Sequence, residues 1–104
     1  MADFEIQNGV LIRYHGENRG AVVIPDNVTA IGDWAFAFCN SLQKITIPAK
    51  CTFIGHDIFK DCLYLKTLKI GDHDCSFVLK YYRDKENFDE ILKMIIRNYN
   101  NYKL

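Results

Sequence analysis

A shift of 23 residues lays the middle of this 104-residue chain over itself. Val22-Val23-Ile24-Pro25 returns as Ile45-Thr46-Ile47-Pro48 and, more weakly, as Leu68-Lys69-Ile70-Gly71. Inside the unit, Ile31-Gly32 returns as Ile54-Gly55, Phe36 as Phe59, Cys39 as Cys62 and Leu42 as Leu65. A unit this short cannot bury its own apolar side chains. Stacked units can, because each residue then lies on its counterpart and the pair excludes water. Such a repeat therefore leaves few folds open besides a stack.

Val22, Ile24, Ile45, Ile47, Leu68 and Ile70 alternate with period two and are mostly β-branched. They read as the inward positions of three neighbouring parallel strands. Pro25 and Pro48 end the strands, since proline has no N–H to give to a ladder. Gly32 and Gly55 mark a turn. The segments from Trp34 to Phe38 and from Asp57 to Asp61 then read as a short helical turn or 3₁₀ piece, with Phe36 and Phe59 pointing inward.

The spacing Ile-Pro-x-x-Val-x-x-Ile-Gly-x-x-Ala-Phe-x-x-Cys-x-x-Leu-x-x-Ile-x-Ile, from Ile24 to Ile47, resembles the BspA-like class of leucine-rich repeats. The next unit, Ile47 to Ile70, fits with Cys51 in place of valine and Ile58 in place of alanine. The segment Phe4 to Leu11 resembles the stretch that opens such arrays. The resemblance implies a curved solenoid used in adhesion and protein recognition, with no catalytic residues to carry over. It also implies that Cys39 and Cys62 are buried ladder positions and that Cys51 replaces an inward valine, which a small apolar thiol can do. Cys75 lies off the ladder.

The expected fold is thus α+β and β-rich: a leucine-rich-repeat solenoid of about 2.5 repeats, covered at both ends because open solenoid ends expose apolar ladders. One domain, 1–104, would comprise an N-terminal β-hairpin cap (1–20), the repeats (21–71) and a C-terminal strand and helix cap (72–104). Asn8-Gly9 is a strong two-residue hairpin signal between the strands at Phe4-Ile6 and Val10-Ile12, and Gly16 to Gly20 turns the chain into the first repeat. Phe77 to Tyr82 reads as an extended strand. Beyond it Phe88, Ile91, Leu92, Ile95, Ile96, Tyr99 and Tyr102 recur at helical spacing, with Asp89, Lys93, Arg97 and Asn100 opposite. That amphipathic helix reads as a cap on the last repeat. A dimerising helix is the alternative, so a homodimer through it stays open.

Lys+Arg and Asp+Glu both number 13, giving zero formal net charge. That is no basis for general nucleic-acid binding, which needs a basic stripe. No apolar run is long enough to cross a membrane as a helix, and the N-terminus has no secretory signature. The four cysteines stand 12, 11 and 13 residues apart without a close pair, unlike a zinc site. Reduced thiols and a cytoplasmic location are expected, or the cell surface if the chain is cut from a longer exported protein. Asp72-His73-Asp74-Cys75 is the densest set of candidate ligands and reads as a polar loop, since neighbours in sequence rarely converge on one metal. No cofactor, metal or catalytic motif is expected.

Two surfaces are candidates for binding another protein. Ala21, Lys44 and Thr67, with Val23, Thr46 and Lys69, should line the exposed face of the parallel strands. The second candidate is Trp34 and Phe38, which stand where the next unit has Asp57 and Asp61. Phe53, opposite Ala30, should also point outward. Aromatics placed on a surface are candidate anchors. The need to cover an end unit favours their burial under the hairpin, through Phe4, Leu11 or Tyr14. The function expected is a non-catalytic protein-interaction module. A start methionine and two caps suit a free-standing binder, such as an inhibitor carried by a phage or mobile element. A surface-adhesion or structural fragment of a longer array is the alternative.

Overall fold

The computed structural model describes residues 3–16 and 20–102, with side chains described as far as Tyr99. Glu17-Asn18-Arg19, in the expected turn before the first repeat, and the side chains of Asn100 and Tyr102 lie outside the described residues. The chain is α+β with strands predominating. Among the described residues two four-stranded sheets form, in place of one strand per unit.

The first sheet comes from the period-two positions. Strands β3 (Ala21–Val23), β5 (Lys44–Ile47) and β7 (Thr67–Ile70) run parallel. Their register is the 23-residue offset itself, with Val22↔Ile45↔Leu68 and Ala21↔Lys44↔Thr67. All six inward residues named from the sequence are buried. The two-residue strand β8 (His73–Asp74) then folds back antiparallel on β7. The expected polar loop is therefore a tight turn that closes this sheet's edge.

The second sheet is built on a hairpin. Strands β1 (Phe4–Gln7) and β2 (Val10–Tyr14) pair antiparallel, with a register shift between Glu5 and Ile6. Asn8 and Gly9 both take positive φ, 52° and 81°, the geometry of a two-residue turn that suits twisted strands. β2 next pairs in parallel with β4 (Ala30–Ile31), and β4 with β6 (Phe53–Ile54). The hairpin thus supplies what an earlier unit would have supplied. Leu11 continues the buried row of Ile31 and Ile54. Tyr14 lies on Phe36 with ring centroids 5.2 Å apart, Phe36 on Phe59 at 6.0 Å, and Phe4 covers Tyr14 at 5.2 Å.

The extended strand expected at Phe77 to Tyr82 is instead the helix α1 (Phe77–Tyr82). β8 is the edge of that sheet and offers a further strand only two residues to pair with. Helical geometry buries Val78 and Leu79 and half-buries Tyr82, an i, i+1, i+4 arc, and leaves Phe77 and Tyr81 to solvent. Helix α2 (Phe88–Tyr102) follows, with Asp89 and Glu90 in the first turn where the helix dipole favours anions. Leu92, Ile96 and Tyr99 join the common core, with Phe88, Ile91 and Ile95 at its margin. Its apolar face is spent on the chain's own core.

Close stacking of units shows at Gly55. A methyl group there would strike the Asp33 carboxylate and lie 2.7 Å from Asp33 N and 3.0 Å from its Cα. Gly32 is less confined, with the Leu11 carbonyl 3.2 Å away. Gly55→Ala is expected to cost about 2 kcal/mol or more, because the backbones of two units must separate, and Gly32→Ala less than half of that. Urea denaturation of the two variants checks the order.

The thiols differ from one another. Cys51, Cys62 and Cys75 are buried, whereas Cys39 is half-buried. Burial pushes the Cys51 thiol up to about 11. A hydrogen bond shared between Cys62 and Cys39, and then burial, push Cys62 up, while the same bond lowers Cys39. Burial, helped by Asp74, also raises Cys75. Iodoacetamide reacts with thiolates, so under native conditions it is expected to label Cys39 at least about tenfold faster than the other three. Peptide mass mapping over time reads the order.

Candidate protein-binding surface

The seven residues singled out from the sequence do not form one patch. Lys44, Thr46, Thr67 and Lys69 lie on the outer face of the first sheet, in the rows Ala21–Lys44–Thr67 and Val23–Thr46–Lys69. β8 extends the second row by setting Asp74 against Lys69. Hydrogen bonds from Ser76 hold the Asp74 carboxyl below its usual value, with Lys69 and Lys44 adding to the effect. Asp74, expected in a polar loop, thus offsets part of the mildly basic row. Phe53 faces outward at 60% exposure, in the second sheet's row Val10–Ala30–Phe53.

Trp34 and Phe38 are brought together, with ring centroids 5.9 Å apart and planes tilted by 47°. The hairpin does not cover them. Phe4 and Tyr14 stack toward Phe36 instead, and Leu11 goes under Ile31. Trp34 stays 39% exposed and Phe38 53% exposed.

The segment is not a helical turn either. Successive turns, closed by Ala35 N to Gly32 O, Ala37 N to Trp34 O and Cys39 N to Phe36 O, carry the chain around. Every second turn needs a left-handed residue: Trp34 has φ 63° and Phe38 φ 64°, and their counterparts Asp57 and Asp61 have 52° and 56°. Aspartate tolerates that region, but a bulky aromatic there is a conformational outlier. The left-handed conformation costs an ordinary side chain about 1–2 kcal/mol. Bonds to the next unit enforce it: Trp34 N donates to His56 O at 3.0 Å, Phe36 N to Ile58 O at 2.9 Å and Phe38 N to Lys60 O at 2.6 Å. Two aromatics therefore sit half-exposed in a backbone conformation suited to aspartate. Strain of this kind persists where a site needs it.

In the adjoining unit, the Asp57–Asp61 turn lines a cavity of about 380 Å³. Its floor is Phe59, Leu63, Leu79 and Phe88, and its walls are the Asp57–Asp61 turn and the link between α1 and α2. Arg83 ties that link to the second unit, donating to the carbonyls of Cys62, at 3.2 Å, and of Leu65. Asp57 N donates to Asp89 Oδ2 at 3.2 Å. The pairing of a repeat turn with the link between two helices leaves no periodic trace, so only the Asp57 and Asp61 wall had a signal.

His73 and Cys75 part company. The His73 ring meets the edge of Tyr99 at 5.0 Å, and Cys75 turns into the core. Among the described residues, no group of three or more His, Cys, Asp or Glu could hold a metal ion.

A family model described as BspA type leucine-rich repeat region (6 copies) matches residues 13–97. No curated protein and no solved structure matches the chain.

Proposed function

We propose that this chain, which belongs to the BspA-type leucine-rich-repeat family, is a non-catalytic protein-binding module whose anchor is the Trp34–Phe38 pair. We read the repeats as a short solenoid of about two and a half units, a reading supported by the register that sets Val22 beside Ile45 and Ile45 beside Leu68. One observation carries the choice of surface. Two large aromatics occupy left-handed positions that the next unit fills with aspartate, and they stay half-exposed there. Packing alone does not account for them, because the core ring of that turn is Phe36. Large aromatic side chains, tryptophan among them, are enriched among the residues that anchor protein interfaces.

The test is capture from a lysate of the source organism by the wild type and by Trp34→Asn/Phe38→Asn, each checked for folding by circular dichroism. The wild type is expected to retain a specific protein that the variant binds at least about 100-fold more weakly. Equal capture by both would move the interface to the sheet face around Lys44, Thr46, Thr67 and Lys69.

A further inference from the structure

We infer that the partner offers this surface a basic segment, with lysine or arginine side chains entering the cavity beside the aromatic pair. The inference rests on the protein-binding reading above and adds the chemistry of what is bound. The amides of Trp34 and Phe38 are bonded to the carbonyls of His56 and Lys60, which adjoin Asp57 and Asp61 in the cavity lining. The backbone that carries the aromatic pair therefore borders the turn that lines the cavity.

Its chemistry selects the occupant. The floor is apolar, and Leu63 leaves it open to solvent. Around it, among the described residues, stand Asp57, Asp61, Asp84, Glu86 and Asp89, five carboxylates against the three cations Lys60, Arg83 and Lys85. Arg83 is turned onto the carbonyls of Cys62 and Leu65 and does not reach for these acids through the same nitrogens. Asp89 has the Asp57 amide at 3.2 Å and the His56 ring at 3.8 Å.

Lysine and arginine have an apolar stem and a charged head, so the stem suits the floor and the head the rim. A cation at the near end also meets the faces of Trp34 and Phe38, which attract it. An acidic segment would be repelled by the rim. A wholly apolar one would strip water from five carboxylates without compensating them.

The protein has one tryptophan, so its emission reports on this surface. The experiment titrates the whole chain with nona-arginine, nona-glutamate or a neutral glycine–serine peptide at low ionic strength and follows that emission. Nona-arginine is expected to give a saturable change, weakened by added salt, and the other two none. The variant Asp61→Asn/Asp84→Asn/Glu86→Gln is expected to bind nona-arginine about tenfold more weakly. A control, Glu5→Gln/Asp26→Asn/Asp72→Asn, removes as much charge away from the cavity and should bind as the wild type does. Asparagine keeps the left-handed position at residue 61 accessible, and thermal melts confirm folding of both variants.

No saturable response to nona-arginine, an equal response to nona-glutamate, or equal weakening in the two triple variants overturns the inference. A captured partner that needs Trp34 and Phe38 but ignores the cavity variant would overturn it too, and would leave the protein-binding reading standing. If no partner depends on Trp34 and Phe38, that reading itself has failed.

Discussion

Phe36→Ala is expected to cost about 3–5 kcal/mol, most of the stability margin of a small domain. Phe36 is fully buried and stands at the centre of the ring column, between Tyr14 on the hairpin and Phe59 in the next unit. Truncation removes the apolar contact that joins the N-terminal hairpin to the repeats, and the surrounding backbone cannot collapse into the gap. Phe36 N is bonded to Ile58 O, and the neighbouring amides of Trp34 and Phe38 are bonded to the same unit. Phe59→Ala should cost less, because Phe59 lies only partly buried against the core. Phe36→Leu should cost under about 2 kcal/mol, since most of the volume remains. Urea denaturation followed by circular dichroism gives the order. A loss below about 1.5 kcal/mol for Phe36→Ala would mean that the hairpin and the repeats are held together some other way.

What could be read from the sequence was whatever repeated. The ladder Val22–Ile45–Leu68 has a period, and so does the ring pair Phe36–Phe59, and both lie where the offset puts them. Helix α2 was equally legible, because seven apolar residues at helical spacing have one way to share a face. The second sheet was missed: its strands β4 and β6 have two residues each, too short for any alternation to show. A short apolar run such as Phe77 to Tyr82 suits strand or helix equally, and only the core decides for the helix, by burying Val78 and Leu79 on one arc. At the candidate surface, the exchange of Asp57 for Trp34 and of Asp61 for Phe38 was visible, but its meaning was not. That meaning lay in a backbone angle, and the strongest hint was that the repeat used aspartate, one of the few residues that tolerate the left-handed region. The cavity had no such hint. It depends on how the link after α1 returns to the second unit, a long-range contact made by Arg83 to two backbone carbonyls.

If the repeat stack imposes that angle, then two variants that remove the same rings should differ in stability. Trp34→Asn/Phe38→Asn and Trp34→Ala/Phe38→Ala both lose the ring pair, worth about 0.5–1.5 kcal/mol, and the same partial burial. Asparagine then relieves part of the left-handed strain at both positions through local hydrogen bonds of its side chain, whereas alanine has no such compensation for its Cβ against the following carbonyl. The asparagine variant should therefore be the more stable of the two by about 1–2 kcal/mol, and should lie within about 1 kcal/mol of the wild type, because relief of strain offsets lost contact. Both variants should lose partner binding alike. Stability retained while binding is lost is the mark of residues kept for recognition at some cost to the fold. Thermal and urea melts of the three proteins decide it. Equal stability of the alanine and asparagine variants would show that the backbone relaxes out of the left-handed region once the rings are gone. A loss above about 3 kcal/mol in the asparagine variant would place Trp34 and Phe38 in the core, because substitutions at exposed positions rarely cost so much, and the binding surface would have to be sought on the strand face.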